Sequence, residues 1–336
     1  MSRKYTFTLL VFVLWIVGIY FITSLLGGDL PNTISKISLR HFFTGYLFYI
    51  CAVIAGVWVL YRSLICVRLK PRVFVVARAW IFGSFLDNIV PTITPAGEAS
   101  MAYFLNKFYN ISYTKSLAAI GLYVSAWGIS ATIFSALALL IINYSISIPS
   151  TLIAISAFIV VLFALLTIGW LLLITKKDLV EKIVCKIVFF YNKVYNKFKK
   201  RKITYDICVF RSEFDKSYSS LELVLRNKVH IFVSVIAFFI PQLCHALTLY
   251  SILLGFGIQL PFLAVLFVHI IASVSGLLAF IPSGLGVYEA SSAGILTQIF
   301  SVDGNIAIAS VFLYRLVFVW TTNLVGGFVG LKHGVK

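Results

Sequence analysis

The chain has 336 residues, of which 61% are hydrophobic and only 12% charged, with a formal net charge of +17. No soluble core needs that balance, so the composition excludes a soluble globular protein and points to a polytopic membrane protein. The basic residues fall in loops rather than on one folded face, a positive-inside pattern that argues against a nucleic-acid-binding surface.

Two windows free of Asp, Glu, Lys and Arg, residues 116–175 and 229–288, are each 60 residues long. Each has room for two or three spans at about 20 residues per span. From the N-terminus, Arg3 and Lys4 precede an uncharged run at 5–26. It is too long for the apolar core of a signal peptide, and no small-x-small cleavage site follows. A retained span with a cytoplasmic N-terminus is expected, residues 1–40 forming this helix and an outer loop with Pro31. The second span is expected at 41–61, with Arg62, Arg68, Lys70, Arg72 and Arg78 marking a cytoplasmic return. Residues 73–90 then lead to a break that holds Pro91, Pro95 and Gly97, and a second arm covers 98–109. That arm, about a dozen residues at 1.5 Å each, is too short to span. Residues 73–109 therefore read as a re-entrant hairpin entering from the cytoplasm.

Residues 116–143 span outward, and 144–175 form an outer turn with Pro149 and a linking transmembrane helix back. Residues 176–228 carry 14 Lys/Arg against 6 Asp/Glu, so they are placed in the cytoplasm. Val180, Ile183, Val184 and Ile187 recur at helical spacing opposite Lys182 and Lys186, the pattern of an interfacial amphipathic helix. Anionic inner-leaflet lipid would attract it by about 1 kcal/mol per basic residue. Residues 229–254 span outward with a kink at Pro241, and 255–261 turn outside. Residues 262–302 form a second hairpin, entering from outside and broken at Pro282, Gly284 and Gly286. Residues 305–331 are the last span, and Lys332 and Lys336 place the C-terminus inside. The expected fold is all-α: six full transmembrane helices plus two re-entrant helical hairpins in an inverted-topology repeat, 41–143 and 229–336.

The two breaks are alike in detail. Each runs Pro, Gly, then Glu-Ala-Ser, with Glu98-Ala99-Ser100 in the first and Glu289-Ala290-Ser291 in the second. Tyr123 and Tyr314, each preceded by Leu, stand 25 positions after those glutamates (123 − 98 and 314 − 289). Paired interruptions in corresponding halves are the best sequence pointer to a transporter binding site. Backbone freed by Pro and Gly survives at membrane depth only inside protein or beside a water-filled cavity. Glu98 and Glu289 sit near half-helix N-termini, where an acid can cap its own helix or meet a substrate. At depth a charged carboxylate costs several kcal/mol unless paired or hydrated, which favours function. Arg315 is the one Lys or Arg between Lys228 and Lys332. It can pair with Glu289 or grip a phosphodiester with its guanidinium fork, and a pair that opens on substrate binding would do both in turn. Asp87 and Asn88, just before the first break, can repair freed backbone or join the site.

Other chemistry finds no support. The cysteines are scattered, and Cys185 and Cys208 fall in the segment placed in the cytoplasm, where disulfides are rare. There is no Cys-x-x-Cys, no His-x-x-x-His and no Gly-rich phosphate loop, so no metal, ATP or other cofactor site is expected. His245 and His269, in apolar spans, read as hydrogen-bonded packing residues.

The run Asp87-Asn88-Ile89-Val90-Pro91, then Gly97-Glu98, resembles the first signature of the flippase-like family, also called the lysylphosphatidylglycerol synthase transmembrane region family. Ile281-Pro282-Ser283-Gly284-Leu285-Gly286-Val287-Tyr288-Glu289-Ala290 with Leu313-Tyr314-Arg315 resembles the second. The likeness covers nearly the whole chain. Two departures stand out: Tyr123-Val124 occupies the place of an acid–Arg pair, and Thr94-Pro95-Ala96 replaces the usual Arg ahead of Gly-Glu. The resemblance implies a polytopic lipid translocase in a prokaryotic cell membrane, without the aminoacyl-transfer domain that bifunctional members carry, and so a transporter rather than an enzyme. It leaves a phospholipid or a polyprenyl-linked lipid as substrate. Rival expectations are a membrane enzyme or subunit acting on a lipid-linked sugar, and a scaffold whose basic cytoplasmic helices recruit a lipid-synthesising enzyme.

Overall fold

The computed structural model describes residues 30–90, 96–145, 150–176 and 227–333, with isolated positions between 215 and 222. Within them the chain is helical throughout and holds no strand. The run at 5–26, the prolines of the first break and nearly all of the basic segment lie outside the described residues.

Among the described residues, five helical stretches are long and apolar enough to cross a membrane: Leu39–Cys66, Tyr113–Leu140, Ile153–Leu172, Lys228–Gly255 and Gly304–Lys332. They coincide with the spans expected at 41–61, 116–143, 151–175, 229–254 and 305–331. After a short α1 (Leu30–Ser35), α2 (Leu39–Cys66) runs 28 residues, about 42 Å at 1.5 Å per residue against a core of about 30 Å. It continues past Arg62 because a charge marks the edge of a bilayer without breaking a helix. The stop comes at Arg68, whose φ is +61°.

The first hairpin pairs α3 (Val73–Ile89) with α4 (Ala96–Tyr109). Helix α3 ends where Pro91 requires it. Val90, the residue before proline, is extended at φ −91°, ψ 141°, because the proline ring disfavours helix there. Asn110 closes α4 in the left-handed region at φ +52°, which Asn tolerates better than most residues. Helices α5 (Tyr113–Ser145) and α6 (Ser150–Thr175) follow.

The next span is two helices, α7 (Lys228–Ala237) and α8 (Phe239–Gly255). Pro241 has no N–H for the carbonyl of Ala237, so the helix breaks at Phe238. The second hairpin is α9 (Phe262–Leu278), a tight turn at Pro282–Gly284, and α10 (Val287–Gln298). Asp303 caps α11 (Gly304–Arg315) by accepting from the N–H groups of Asn305 and Ile306 at 2.9 and 3.2 Å. A π turn at Leu316–Trp320 leads into α12 (Thr321–Lys332).

Helices α2 and α8 pack most extensively on each other, and small residues allow it. Gly45 faces Thr248, whose hydroxyl donates to the Gly45 carbonyl at 3.2 Å. Each hairpin is clasped by a span from the other half: α12 lies on α3, and α5 lies on α9. Gly326 and Gly330 lie on the α12 face that meets Phe85 and Phe82 of α3, a small-xxx-small contact of the kind that brings membrane helices close. One apolar cluster belongs mainly to the first half, around Leu60, Val76, Phe82 and Phe104. A second, around Leu249, Val265, Leu296 and Val311, belongs mainly to the second half.

Candidate functional site

A cavity of about 400 Å³ lies where the two halves meet. Its lining includes Asp87 and Asn88 from the end of α3, Ser283 and Gly284 from the second break, and Tyr288, Tyr314 and Arg315 beyond it. Tyr123 of α5 and Trp80 of α3 complete the first-half wall.

The second break is held by backbone that only certain residues accept. Ser283 (φ +53°), Gly284 (φ +61°) and Gly286 (φ +82°) are all left-handed. A Cβ on Gly284 would stand 2.7 Å from the Cα of Gly276 in α9, so glycine is required there by close approach as well as by φ. The fold-back turns the Ser283 carbonyl toward Arg315, whose Nη2 donates to it at 2.8 Å. Arg315 Nε lies 2.6 Å from Glu289 Oε1, and its guanidinium sits 5.1 Å from the centre of the Tyr288 ring. The other carboxylate oxygen of Glu289 accepts from the Gly286 N–H at 2.7 Å. Glu289 therefore caps α10, one of the two roles open to it from the sequence, and makes the ion pair that was one of the two roles open to Arg315. The side chains are 7% exposed for Arg315 and 17% for Glu289.

The first break is secured differently. Asp87 Oδ1 accepts from the Gly97 N–H at 2.8 Å and so caps α4 from outside. A Cβ on Gly97 would collide with that carboxylate. Glu98 occupies the first turn of α4, within electrostatic reach of Asp87 and Tyr123. Ser100 is buried and donates to the Gly97 carbonyl at 2.6 Å. Ser291 stands in the second turn of α10, half-buried. Among the sequence-derived residues, the cavity thus brings together Asp87, Asn88, Tyr123, Tyr314, Arg315 and Gly284. Glu289 reaches it through Arg315, while Glu98, Ser100, Ser291, Gly97, Pro282 and Gly286 stand outside its lining. Pro91 and Pro95 lie outside the described residues.

The two halves touch at the tips. The Ser283 hydroxyl donates to Asn88 Oδ1 at 3.2 Å, and the Asn88 amide donates to Asn323 Oδ1 in α12 at 2.9 Å. Trp80 Nε1 donates to the Tyr123 hydroxyl at 2.7 Å. On the second-half wall His245 and His269 stack at 5.2 Å with their planes 6° apart. Each also binds a tyrosine hydroxyl: His245 with Tyr314 at 2.8 Å and His269 with Tyr288 at 3.1 Å.

Sequence reasoning gave Ser283, Asn323, Trp80 and the two histidines no place in the site. The available signal was depth alone: histidine in a charge-free window is an intramembrane ionisable residue and a functional candidate on that ground. The π turn directly after Arg315 has no sequence signature, although such wide turns gather at functional positions.

Three relatives match parts of the chain. A UPF0104 membrane protein of Methanothermobacter thermautotrophicus is 22% identical over 268 residues, 73% of this chain and 71% of the relative. A UPF0104 membrane protein of Methanocaldococcus jannaschii is 29% identical over 246 residues, 70% and 68% of the two chains. A further match to a UPF0104 membrane protein of M. thermautotrophicus is 28% identical over 113 residues, 34% of this chain and 31% of the relative. The family model described as the lysylphosphatidylglycerol synthase TM region matches residues 6–326. With a match across nearly its whole length, the chain belongs to the lysylphosphatidylglycerol synthase TM region family of integral membrane proteins.

Proposed function

We propose that the protein is a lipid translocase that moves a phospholipid or polyprenyl-linked lipid between leaflets, its headgroup passing through the cavity while the acyl chains stay in the bilayer. One observation carries the reading: the cavity between the broken segments holds a guanidinium, Arg315, that is steered by the break itself through the Ser283 carbonyl and Glu289. A guanidinium in that setting takes a phosphodiester by two parallel hydrogen bonds.

The topology proposed with it is six spans and two re-entrant hairpins in inverted repeats, with both termini in the cytoplasm of a prokaryotic cell. The packing supports this, because the exchange is reciprocal: the closing span of each half lies on the first arm of the other half's hairpin. A two-fold axis in the membrane plane produces that pattern, and rocking about such an axis exposes a central site to each side in turn. The substrate arrives from the bilayer, and anionic inner-leaflet lipid holds the basic 176–228 segment at the surface. No enzymatic step is required.

The test is reconstitution of the purified chain in liposomes with a fluorescent phosphatidylglycerol, its exposure to an external quencher followed in time. Wild type moves the label and Glu289→Gln does not, while remaining folded by size-exclusion chromatography. Label movement by the variant at the wild-type rate removes Glu289 from the transport cycle.

A further inference from the structure

The cavity has a wall of a different kind from the one that holds Arg315. It is built by α5, α6 and α9. Ala131 and Phe134 of α5, Phe163 of α6, and Ile270 and Val274 of α9 all line the cavity and belong to one buried apolar cluster, with Trp127 packed against it. Ser135, which lines the cavity beside Phe134, donates its hydroxyl to the Ala131 carbonyl at 2.7 Å and so is spent within its own helix.

Helix α6 closes this wall, and it is held unequally on its two sides. It is the least buried of the five spans, and Phe158, Val161 and Leu165 on its outer face are exposed. Polar groups pin it to α5. The Thr132 and Thr167 hydroxyls meet at 3.2 Å, and Trp170 Nε1 donates to the Ser125 hydroxyl at 3.2 Å. Gly128 allows the approach, since a Cβ there would stand 3.2 Å from the Thr167 methyl. Toward α9 the contact is apolar: Val160 clusters with Phe267 and Ile271, and Phe163 with Ile270 and Val274. Lipid tails are as apolar as these side chains, so packing alone keeps that seam closed. Parting the hydroxyls on the α5 side would instead lose hydrogen bonds that hydrocarbon cannot replace.

We infer that the α6–α9 seam is the portal through which a lipid chain reaches the cavity from the bilayer. The methylenes next to the headgroup seat against Phe134, Phe163, Ile270 and Val274, and the remainder of each chain stays in the membrane. The inference takes the phosphate's place from the translocase reading and adds the place of the hydrocarbon attached to it. The two walls complement the two ends of an amphiphile, a guanidinium for the phosphate and a buried apolar face for the chain. A chain in the seam substitutes its methylenes for side-chain contacts between α6 and α9, while α6 stays fixed to α5. Because the chain comes from hydrocarbon and not from water, seating it exchanges one set of packing contacts for another. Entry and exit are therefore nearly balanced, as passage requires. The α2–α8 contact is a poorer portal, since Thr248 donates to the Gly45 carbonyl at 3.2 Å and Ser251 to the His41 carbonyl at 2.8 Å across it.

The experiment places the full chain in phosphatidylcholine liposomes with a small fraction of phosphatidylglycerol that carries a diazirine on the first carbons of one acyl chain. After photolysis the labelled peptides are mapped by mass spectrometry. The quantity read is label at Phe163, Ile270 and Val274 relative to label at Leu122 and Leu313, which are as deeply buried but stand outside the cavity lining. Phe43 and Leu47 on the exposed face of α2 report the bulk lipid. Wild type gives a ratio of several-fold. A ratio of one, with Phe43 and Leu47 labelled, overturns the inference. Ala131→Phe fills the apolar wall from α5 and brings the ratio to one, and Ser135→Leu does so from the next turn if the first variant fails to fold. An unchanged ratio in a folded variant overturns the inference. Fluorescent phosphatidylglycerol in the same liposomes reports movement between leaflets. Movement without label in the seam overturns the portal and leaves the translocase reading standing. Label in the seam without movement overturns the translocase reading and keeps the seam as a lipid site.

Discussion

The Arg315–Glu289 pair gives the sharpest quantitative prediction, through a double-mutant cycle. Removing one partner of a buried pair costs about 3–5 kcal/mol, because the other charge is left uncompensated. Glu289 keeps 17% exposure and the Gly286 N–H, so Arg315→Met belongs at the low end, about 3 kcal/mol. Glu289→Gln retains an acceptor for that N–H and leaves Arg315 on the Ser283 carbonyl and over the Tyr288 ring, for a loss of about 2 kcal/mol. The double variant has no charge left to strand, so its loss should stay near 2 kcal/mol and not approach the sum of about 5, a coupling of about 3 kcal/mol. Reversible unfolding in bicelles, read by steric trapping of paired labels, measures each corner. Additivity within about 0.5 kcal/mol would show that the two groups do not act as a pair and would remove the switch. The size of the coupling also bounds the function. About 3 kcal/mol is about two decades in an equilibrium constant, which binding of one phosphodiester can supply. A coupling above about 5.5 kcal/mol would demand a differential affinity of about ten-thousand-fold to invert the populations.

Two glycine comparisons follow from packing. Gly284→Ala meets both a left-handed backbone, at about 1–2 kcal/mol, and the backbone of Gly276, at about 1–3 kcal/mol more for overpacking. Gly286→Ala faces a positive φ with nothing within 4 Å, so thermal unfolding in detergent should rank Gly284→Ala clearly below Gly286→Ala, and equal midpoints would refute the close approach. On α12, a Cβ at Gly326 would lie 2.7 Å from the Ile81 carbonyl and closer still to Phe85, whereas one at Gly327 has 3.5 Å of room. Gly326→Ala should lower the midpoint and Gly327→Ala leave it near wild type, and the reverse order would refute the α3–α12 contact.

What could be read from the sequence was local or compositional. Pro91 announced the end of α3 at Ile89, and Pro241 announced a break that the backbone places at Phe238, one turn earlier, where the missing N–H would have bonded. Span ends were less legible. Arg62 marks the bilayer edge, yet α2 runs on to Cys66, because hydropathy reports on lipid and helix continuity depends on backbone. The site itself depends on contacts that no local pattern encodes. Asn88 meets Asn323 across 235 positions and Ser283 across 195, and His245 meets Tyr314 across 69. The Glu-Ala-Ser repeat located the two breaks, but it weighted both glutamates alike. The fold uses them differently.

That difference constrains how the proposed translocation works. Val124 stands in the first half where Arg315 stands in the second, 26 positions after its glutamate (124 − 98 and 315 − 289). The first break is capped by an acid ahead of it, Asp87 on Gly97, with Glu98 close by. The second is capped by an acid behind it, Glu289 on Gly286, already neutralised by Arg315. An anionic headgroup therefore finds its cation on the second half and two carboxylates on the first. If the halves exchange access by rocking, the phosphate must stay with the second half in both states, because among the described lining residues the first half has no cation to replace the guanidinium. The first hairpin then moves past a headgroup that stays on Arg315, and the Asn88 bridge to Ser283 and Asn323 is the polar contact that has to break and reform on each passage. In the proposed cycle the repeat supplies the motion, and the charge asymmetry decides which half carries the lipid.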